Sequence, residues 1–179
     1  KDIDEGERSE LWLTPLDGFF RFDLSTKILR HYLHNPENKN SLSDNRILQI
    51  IHDRSGLDWI LTRNNGVNKL NHFSNSFHKV EMNSYDKNSL SGNSISWIFG
   101  DSKGNLWLGT YGKGLDKTLL KKTRHFTDFE HYSIEAENSK SINGTLIISI
   151  NEDKGQTSWI GTIQGLNTYN EDDNDFTRF

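Results

Sequence analysis

The sequence contains no cysteine, which excludes disulfide bonds, thiolate metal sites and cysteine nucleophiles. No apolar run approaches the roughly 20 residues that a membrane-spanning helix needs, so we expect no membrane contact by this segment. No basic cluster stands out and the formal net charge is −4, so a nucleic-acid partner is not expected. A signal-peptide pattern is also missing, as in a mature or excised segment of a longer protein.

Hydrophobic residues are scarce, at 32% of the 179 residues, whereas aromatic residues reach 11% and include five tryptophans. A few large rings must therefore provide much of the buried apolar surface. This composition suits several thin sheets better than one thick core. It is not typical of disordered chains, which are poor in aromatic residues.

A repeat organises the chain. In each unit a tryptophan is followed by an apolar residue, by any residue and then by threonine. The four tryptophans are spaced by 47, 48 and 52 residues, and they are Trp12, Trp59, Trp107 and Trp159. A turn glycine follows in every unit, at Gly18, Gly66, Gly114 and Gly165.

Other features recur in register with the tryptophans. An aspartate stands six residues before three of them, at Asp53, Asp101 and Asp153, and short apolar runs precede these aspartates. Polar turns separate the runs, and helical periodicity is absent. Each unit is therefore predicted to hold four short antiparallel strands, which in the second unit are 47–51, 57–62, 67–71 and 77–82.

Four-stranded units that repeat roughly every 40–50 residues predict an all-β fold, a β-propeller of about four blades. The predicted blade units within a single propeller segment, 1–179, are about 1–34, 45–82, 93–134 and 143–179. The chain starts just before the second strand of its first unit, so that blade is expected to lack one strand. We expect a part of a larger propeller, whose remaining blades would be partners, and self-association through open strand edges.

The stretches LWLGTYGKGL and SWIGTIQGLNTYN, preceded by SLS-x-N, I-x-x-I and D-x-x-G, resemble two-component regulator propeller repeats. The resemblance covers essentially the whole chain, although the first two units carry Leu13-Thr14 and Leu61-Thr62 where the family favours Ile-Gly-Thr. It implies the periplasmic sensor region of a membrane-bound hybrid histidine kinase of the Bacteroidetes type. Such sensors typically bind breakdown products of complex glycans. The resemblance therefore implies a non-catalytic module with an oligosaccharide ligand and a kinase outside this chain.

The stretch GTYGKG (residues 109–114) combines three glycines with Lys113, as a phosphate-binding loop does. Its counterparts are LTPLDG, LTRNNG and GTIQG, in which only the last glycine recurs. No helix follows, and the GK[ST] ending of a phosphate loop is missing. We therefore predict a turn between two strands, in which Gly114 takes a positive φ.

Candidate ligand-binding residues are those that the repeat does not dictate. The repeated tryptophans are interpreted as inter-blade core, and the repeated aspartates as turn caps rather than a catalytic carboxylate pair. Trp97 lies on a first strand, which lines the channel of a propeller, and is a candidate for stacking on a ligand, with core packing as the alternative. One loop face is expected to collect Arg63, Asn64, Asn65, Tyr111, Lys113 and Gln164, with Asn45 and Asn93 beside them.

No catalytic residue, metal ligand or cofactor is predicted. His31 and His34 fall on opposite faces of a predicted strand, so a shared metal is not expected. Two other function classes stay open. A propeller glycosidase or lyase needs clustered carboxylates or a metal on one loop face, which the sequence does not reveal. A protein-binding propeller scaffold needs neither, and it would bind no oligosaccharide.

Overall fold

A computed structural model describes residues 3–6, 10–53, 57–72, 74–119 and 128–179. These residues form sixteen β-strands, arranged in four sheets of four strands each. A transmembrane helix is not found among them.

The first sheet contains β1 (Ile3–Gly6), β2 (Glu10–Leu13), β3 (Phe19–Asp23) and β4 (Leu29–Tyr32). The second contains β5 (Ile47–His52), β6 (Asp58–Thr62), β7 (Val67–Asn71) and β8 (Ser76–Val80). The third contains β9 (Ile95–Gly100), β10 (Asn105–Thr110), β11 (Leu115–Leu119) and β12 (Glu130–Tyr132). The fourth contains β13 (Ile147–Glu152), β14 (Ser158–Thr162), β15 (Gly165–Asn170) and β16 (Asp175–Arg178).

Every sheet is antiparallel, and strands that follow one another in the chain are neighbours in the sheet. The register also repeats: Trp107 lies opposite Phe99 on one side and Lys117 on the other. Trp59 holds the same place between Ile51 and Lys69 in the second sheet. The fold is therefore the all-β propeller type that the repeat predicts.

The prediction that the first blade lacks a strand is wrong. Ile3–Gly6 pairs with Glu10–Leu13, and Asp4 lies opposite Trp12. The segment IDEG has one apolar residue, so it shows neither the alternation nor the β-branched run that marks a strand. Its backbone pairing with the apolar strand β2 places it in the sheet.

The last strand of the second sheet is also shorter than predicted, because it ends at Val80 rather than at 82. Val80 pairs with Val67, the first residue of β7, so the partner strand offers no further residue. The N–H of Met82 instead donates to Asn93 Oδ1 at 2.7 Å.

The chain divides into two compact units, residues 1–80 and 81–179, and each holds two sheets. The core of the first unit contains Trp12, Phe19, Leu42, Ile60, Leu70 and Phe77. The core of the second contains Trp107, Leu115, Ile142, Ile147, Ile150, Ile160 and Phe176. In each unit the tryptophan of one sheet thus packs against apolar residues of the next, which is how thin sheets bury surface in a repeat protein.

Candidate functional site

The turn that joins β10 to β11 is built from Thr110 and two glycines. Thr110 Oγ1 donates to Gly114 O at 2.8 Å and accepts from the N–H of Lys113 at 3.1 Å. Gly114 has the predicted positive φ, +91°, and a Cβ there would lie 2.1 Å from Tyr132 O. The position therefore requires glycine, because any side chain would collide with backbone.

The amides of this turn are engaged within the fold. The N–H groups of Gly112 and Gly114 both donate to Thr145 O, at 3.0 and 2.9 Å. A phosphate-binding nest needs successive N–H groups that point at the ligand. These amides instead bond to Thr145 O, so the turn connects the third sheet to the segment that leads into the fourth sheet.

The same turn presents two side chains to solvent. Tyr111 is 60% exposed, while its backbone bridges to Leu146. Lys113 is exposed beside it. From the turn between β14 and β15, Gln164 reaches back over Gly144, where an added Cβ would lie 2.1 Å from its Oε1. Tyr111 and Gln164 therefore both lie against one short segment, 144–146, whereas the side chain of Lys113 lies beside Gly92.

Three further predicted residues lie in the first unit, in the turn between β6 and β7. Arg63 and Asn64 are exposed. Asn65 is part of the framework, because its Nδ2 donates to Ser43 O and its carbonyl accepts from Ser43 Oγ, both at 3.0 Å. Arg63 and Asn64 thus keep their side chains available for a ligand.

The side chains of Asn45 and Asn93 bond to the backbone of the segments that connect successive sheets. Asn45 Oδ1 accepts from the N–H of His34, and Asn93 Oδ1 accepts from that of Met82. These amides therefore hold backbone in place.

Trp97 lies half-buried on β9 and packs against the core of the second unit. Its Nε1 donates to Ile150 O on β13 at 3.2 Å. The indole thus joins the first strands of the third and fourth sheets, which is the packing role that the sequence analysis gives as the alternative to ligand stacking.

Each repeated aspartate caps its turn and holds its tryptophan. Asp101 Oδ1 accepts from the N–H of Asn105 at 2.8 Å, and Oδ2 accepts from Trp107 Nε1 at 2.8 Å. The same indole bond recurs from Trp59 to Asp53 at 2.7 Å and from Trp159 to Asp153 at 2.9 Å. The three carboxylates belong to three different sheets. Among the described residues, no group of three or more His, Asp or Glu is arranged to hold a metal.

Sequence reasoning misses an ion pair under the segment 82–91, between buried Asp116 and His131, whose side chain is 33% exposed. Asp116 is fully buried on β11, and its Oδ2 accepts from the N–H and the hydroxyl of Ser91, at 2.9 and 3.0 Å. The corresponding residues in the second and fourth sheets are asparagines, Asn68 and Asn167, which accept from the same backbone position. An aspartate where the repeat has asparagine is the signal that points to this site.

His131 on β12 bonds to two acceptors. Its Nδ1 lies 2.7 Å from Asp116 Oδ1, and its Nε2 lies 2.9 Å from the carbonyl oxygen of Lys87. A carbonyl only accepts, and so does an ionised carboxylate, so both ring nitrogens must carry protons when Asp116 is charged. Burial lowers the pKa of His131, but its hydrogen bonds to Asp116 and Lys87 outweigh this and raise it. Burial raises the pKa of Asp116, against the hydrogen bonds from His131 and Ser91.

The segment above this pair carries a second exposed tyrosine. Tyr85 is 98% exposed, beside an open hollow of about 660 Å³ that Met82 and His131 also line. Its N–H donates to Asn83 Oδ1 at 3.0 Å, which fixes the backbone beneath the ring. The corresponding residues in the other two segments between sheets are Glu37 and Glu137, so the aromatic ring is particular to this unit.

Residues 89–112 match the model of the two-component regulator propeller family. The chain carries a two-component regulator propeller repeat. The repeat runs from Ser89, through β9 and β10, into the turn that holds Tyr111. No curated protein is significantly similar in sequence to this chain.

Solved propeller structures resemble the chain in fold. The extracellular domain of the hybrid two-component system BT3049 from B. thetaiotaomicron has a TM-score of 0.76 and 20% identity, over 98% of this chain and 22% of that one. The corresponding domain of BT4673 from the same organism has a TM-score of 0.77 and 20% identity, over 99% and 24%. A catalytically inactive virginiamycin B lyase from Staphylococcus aureus has a TM-score of 0.66 and 16% identity, over 99% and 54%. The chain therefore spans less than a quarter of the length of each of these two extracellular domains.

Proposed function

We propose that this chain is a ligand-sensing segment in the periplasmic part of a hybrid two-component receptor whose kinase lies outside the chain. The observation that carries the proposal is the two-component regulator propeller repeat at residues 89–112. The fold likeness to two extracellular domains of hybrid two-component systems supports the same assignment.

We propose a glycan breakdown product as the ligand. Sugars need an apolar surface for their C–H faces and side chains that bond to their hydroxyls. Tyr111 offers an exposed ring, Lys113 a donor, and Gln164 both a donor and an acceptor. The turn beneath the tyrosine is held by the bonds of Gly112 and Gly114 to Thr145, so little ordering is needed on binding.

The segment acts by binding rather than by catalysis in this proposal. Its repeated aspartates are engaged by turn amides and indole N–H groups, and they do not form a catalytic pair. A bound saccharide changes the packing of the receptor only if it binds one arrangement more tightly than the other. The loop side chains on a rigid sheet are suited to such a difference, because small shifts between blades would move them apart.

Calorimetry against oligosaccharides of different sugars and linkages tests the proposal. We expect saturable binding by the wild-type chain, and a loss of about 3- to 10-fold in affinity in Tyr111→Ala, as removal of one aromatic contact implies. Tyr85→Ala is the matched control, because it removes an exposed tyrosine from a different loop. Release of hydrolysis or elimination products would contradict the proposal, and so would a chain that binds none of the saccharides.

A further inference from the structure

A cavity of about 240 Å³ lies between the third and fourth sheets. It is lined by the turn into β10 (101–105), by the turn into β14 (155–158), and by the end of β15 with the turn that follows it (169–172). These residues are at the end of β10 opposite to Tyr111 and its turn. At about 30 Å³ for each water, the cavity holds roughly eight waters, which is the size of one sugar ring rather than of a chain.

The polar groups around this cavity differ in how many hydrogen bonds they already make within the protein. Asp101 accepts from two backbone N–H groups, from Asn105 Nδ2 and from Trp107 Nε1, so its oxygens are saturated. Lys103 and Glu171 form an ion pair from one sheet to the next, with side chains 41% and 47% exposed. This ion pair therefore remains accessible to a ligand at the rim of the cavity, whereas Asp101 stabilises its own turn.

Gln156 stands out among the lining residues because of its backbone. It has a φ of +64°, in the left-handed region that residues with a Cβ rarely adopt. The corresponding residue in the third sheet is Gly104, with a φ of +88°. In both turns this residue donates its N–H to the aspartate carbonyl, at 3.0 Å for Gln156 and 3.2 Å for Gly104.

The surrounding turn holds Gln156 in this conformation. Asp153 Oδ1 accepts from the N–H groups of Gly155 and Thr157, at 2.8 and 3.0 Å. Glycine would fit the same backbone without strain, as it does in the third sheet. Gln156 thus takes a conformation that favours glycine at a position where the third sheet has glycine, and unlike Lys27 it lines this cavity.

We propose that this cavity is a second ligand site, which takes a single polyhydroxylated ring such as one monosaccharide unit. Gln156, Lys103 and Glu171 supply its hydrogen bonds. A carboxamide donates and accepts, an ammonium donates and a carboxylate accepts, so the three groups together match hydroxyls, which do both. The class of ligand rests on the proposed function, whereas the location rests on the cavity and on the backbone of Gln156.

Nitrogen-15 NMR of the wild-type chain, titrated with D-glucose, D-galactose, D-mannose, D-xylose and L-rhamnose, and with the oligosaccharides used in calorimetry, tests the site. We expect at least one sugar to shift the backbone amides of 155–158 and the side-chain amide of Gln156. Gln156→Gly is expected to weaken that binding at least tenfold. This variant should not fail to fold, because glycine fits a φ of +64°.

Lys27→Gly is the matched control. Lys27 also has a left-handed backbone, with a φ of +61°, but it is exposed in the first unit, in the turn between β3 and β4. Both variants relieve the same kind of strain, so neither should lower the melting temperature, and only Gln156→Gly should lose sugar binding. Equal affinities in wild type and Gln156→Gly would overturn the cavity site.

The titration also separates this proposal from the proposed function. Shifts confined to the amides of 110–114, with monosaccharides or oligosaccharides, would overturn the cavity site and leave the proposed function standing. If no saccharide shifts any amide, both are overturned.

Discussion

Replacement of Asp116 by asparagine removes a buried charge and keeps the shape of the side chain. Asn68 shows how an amide serves in this position, because its Oδ1 accepts from Ser43 N at 3.0 Å and its Nδ2 donates to Ser43 Oγ at 2.8 Å. An asparagine at 116 can bond to Ser91 in the same way. It loses the charged bond to His131, but it also avoids the burial of a carboxylate.

The two terms oppose each other, so we expect Asp116→Asn to change the free energy of unfolding by no more than about 1 kcal/mol near pH 8. Asp116→Ala leaves the N–H of Ser91 without its acceptor and removes the partner of His131, whose side chain is 33% exposed and can still reach water. That substitution is expected to cost about 1–3 kcal/mol more than Asp116→Asn. The difference between the two variants separates the contribution of the buried charge to stability from that of the hydrogen bonds.

The pH dependence gives a second readout of the same pair. The pKa of His131 is raised in the folded state, so its contribution to stability is full below the ordinary pKa of about 6.5 and is lost as pH rises through the folded pKa. The pKa of Asp116 is also raised, mainly by burial, so its protonated form is favoured on folding and stability falls as pH rises above about 3.9. Both effects have the same sign, so each lowers stability as the pH rises through the folded pKa of its group.

Urea unfolding, followed by tryptophan fluorescence at about pH 6 and pH 8.5, measures both predictions. The wild-type chain should lose stability between the two values, and Asp116→Asn should lose clearly less. An identical pH dependence in the two proteins would show that the Asp116–His131 pair does not cause it. A loss of stability in Asp116→Asn as large as that in Asp116→Ala would refute the expected difference between the two variants.

Two other pairs of substitutions test the repeated turns. Asp101 is 3% exposed and accepts from four donors, so Asp101→Ala should lower the free energy of unfolding, measured in urea, by about 3 kcal/mol. Asp153 caps its turn in an exposed position, so Asp153→Ala should lower it by less. Equal losses of stability in the two variants would contradict the role of burial. Gly114→Ala should unfold at a melting temperature well below that of Gly112→Ala, because both have positive φ but only a Cβ at 114 meets Tyr132 O, at 2.1 Å, while one at 112 meets nothing within 4 Å. Similar melting temperatures for the two alanine variants would show that the predicted collision is relieved at little cost.

Local pattern was sufficient to predict most strands. The strand Val67–Asn71 has the predicted bounds, since its residues carry their own pattern and a glycine turn precedes them. The strand Ile3–Gly6 is not predictable in this way, because only its backbone pairing places it in a sheet. The end of β8 at Val80 likewise depends on the length of the partner strand.

The same distinction between local pattern and strand pairing applies to the candidate sites. Tyr111 and Lys113 are predictable as loop residues, because the repeat fixes the turn and leaves these side chains unspecified. The pairing of Asp116 with His131 depends on the register between β11 and β12, which a single strand does not encode. The sequence shows that Gly155 stands two residues after Asp153, whereas Gly104 stands three residues after Asp101. Only the structure shows that this places Gln156 at a positive φ.

The proposed function requires the chain to bind a saccharide without altering it. Equilibrium dialysis against labelled oligosaccharides, with mass spectrometry of the saccharide recovered from the protein compartment, tests this most directly. We expect enrichment of at least one saccharide in that compartment and its recovery at unchanged mass. Recovery of shortened or unsaturated products, or an absence of enrichment for every oligosaccharide, would contradict it.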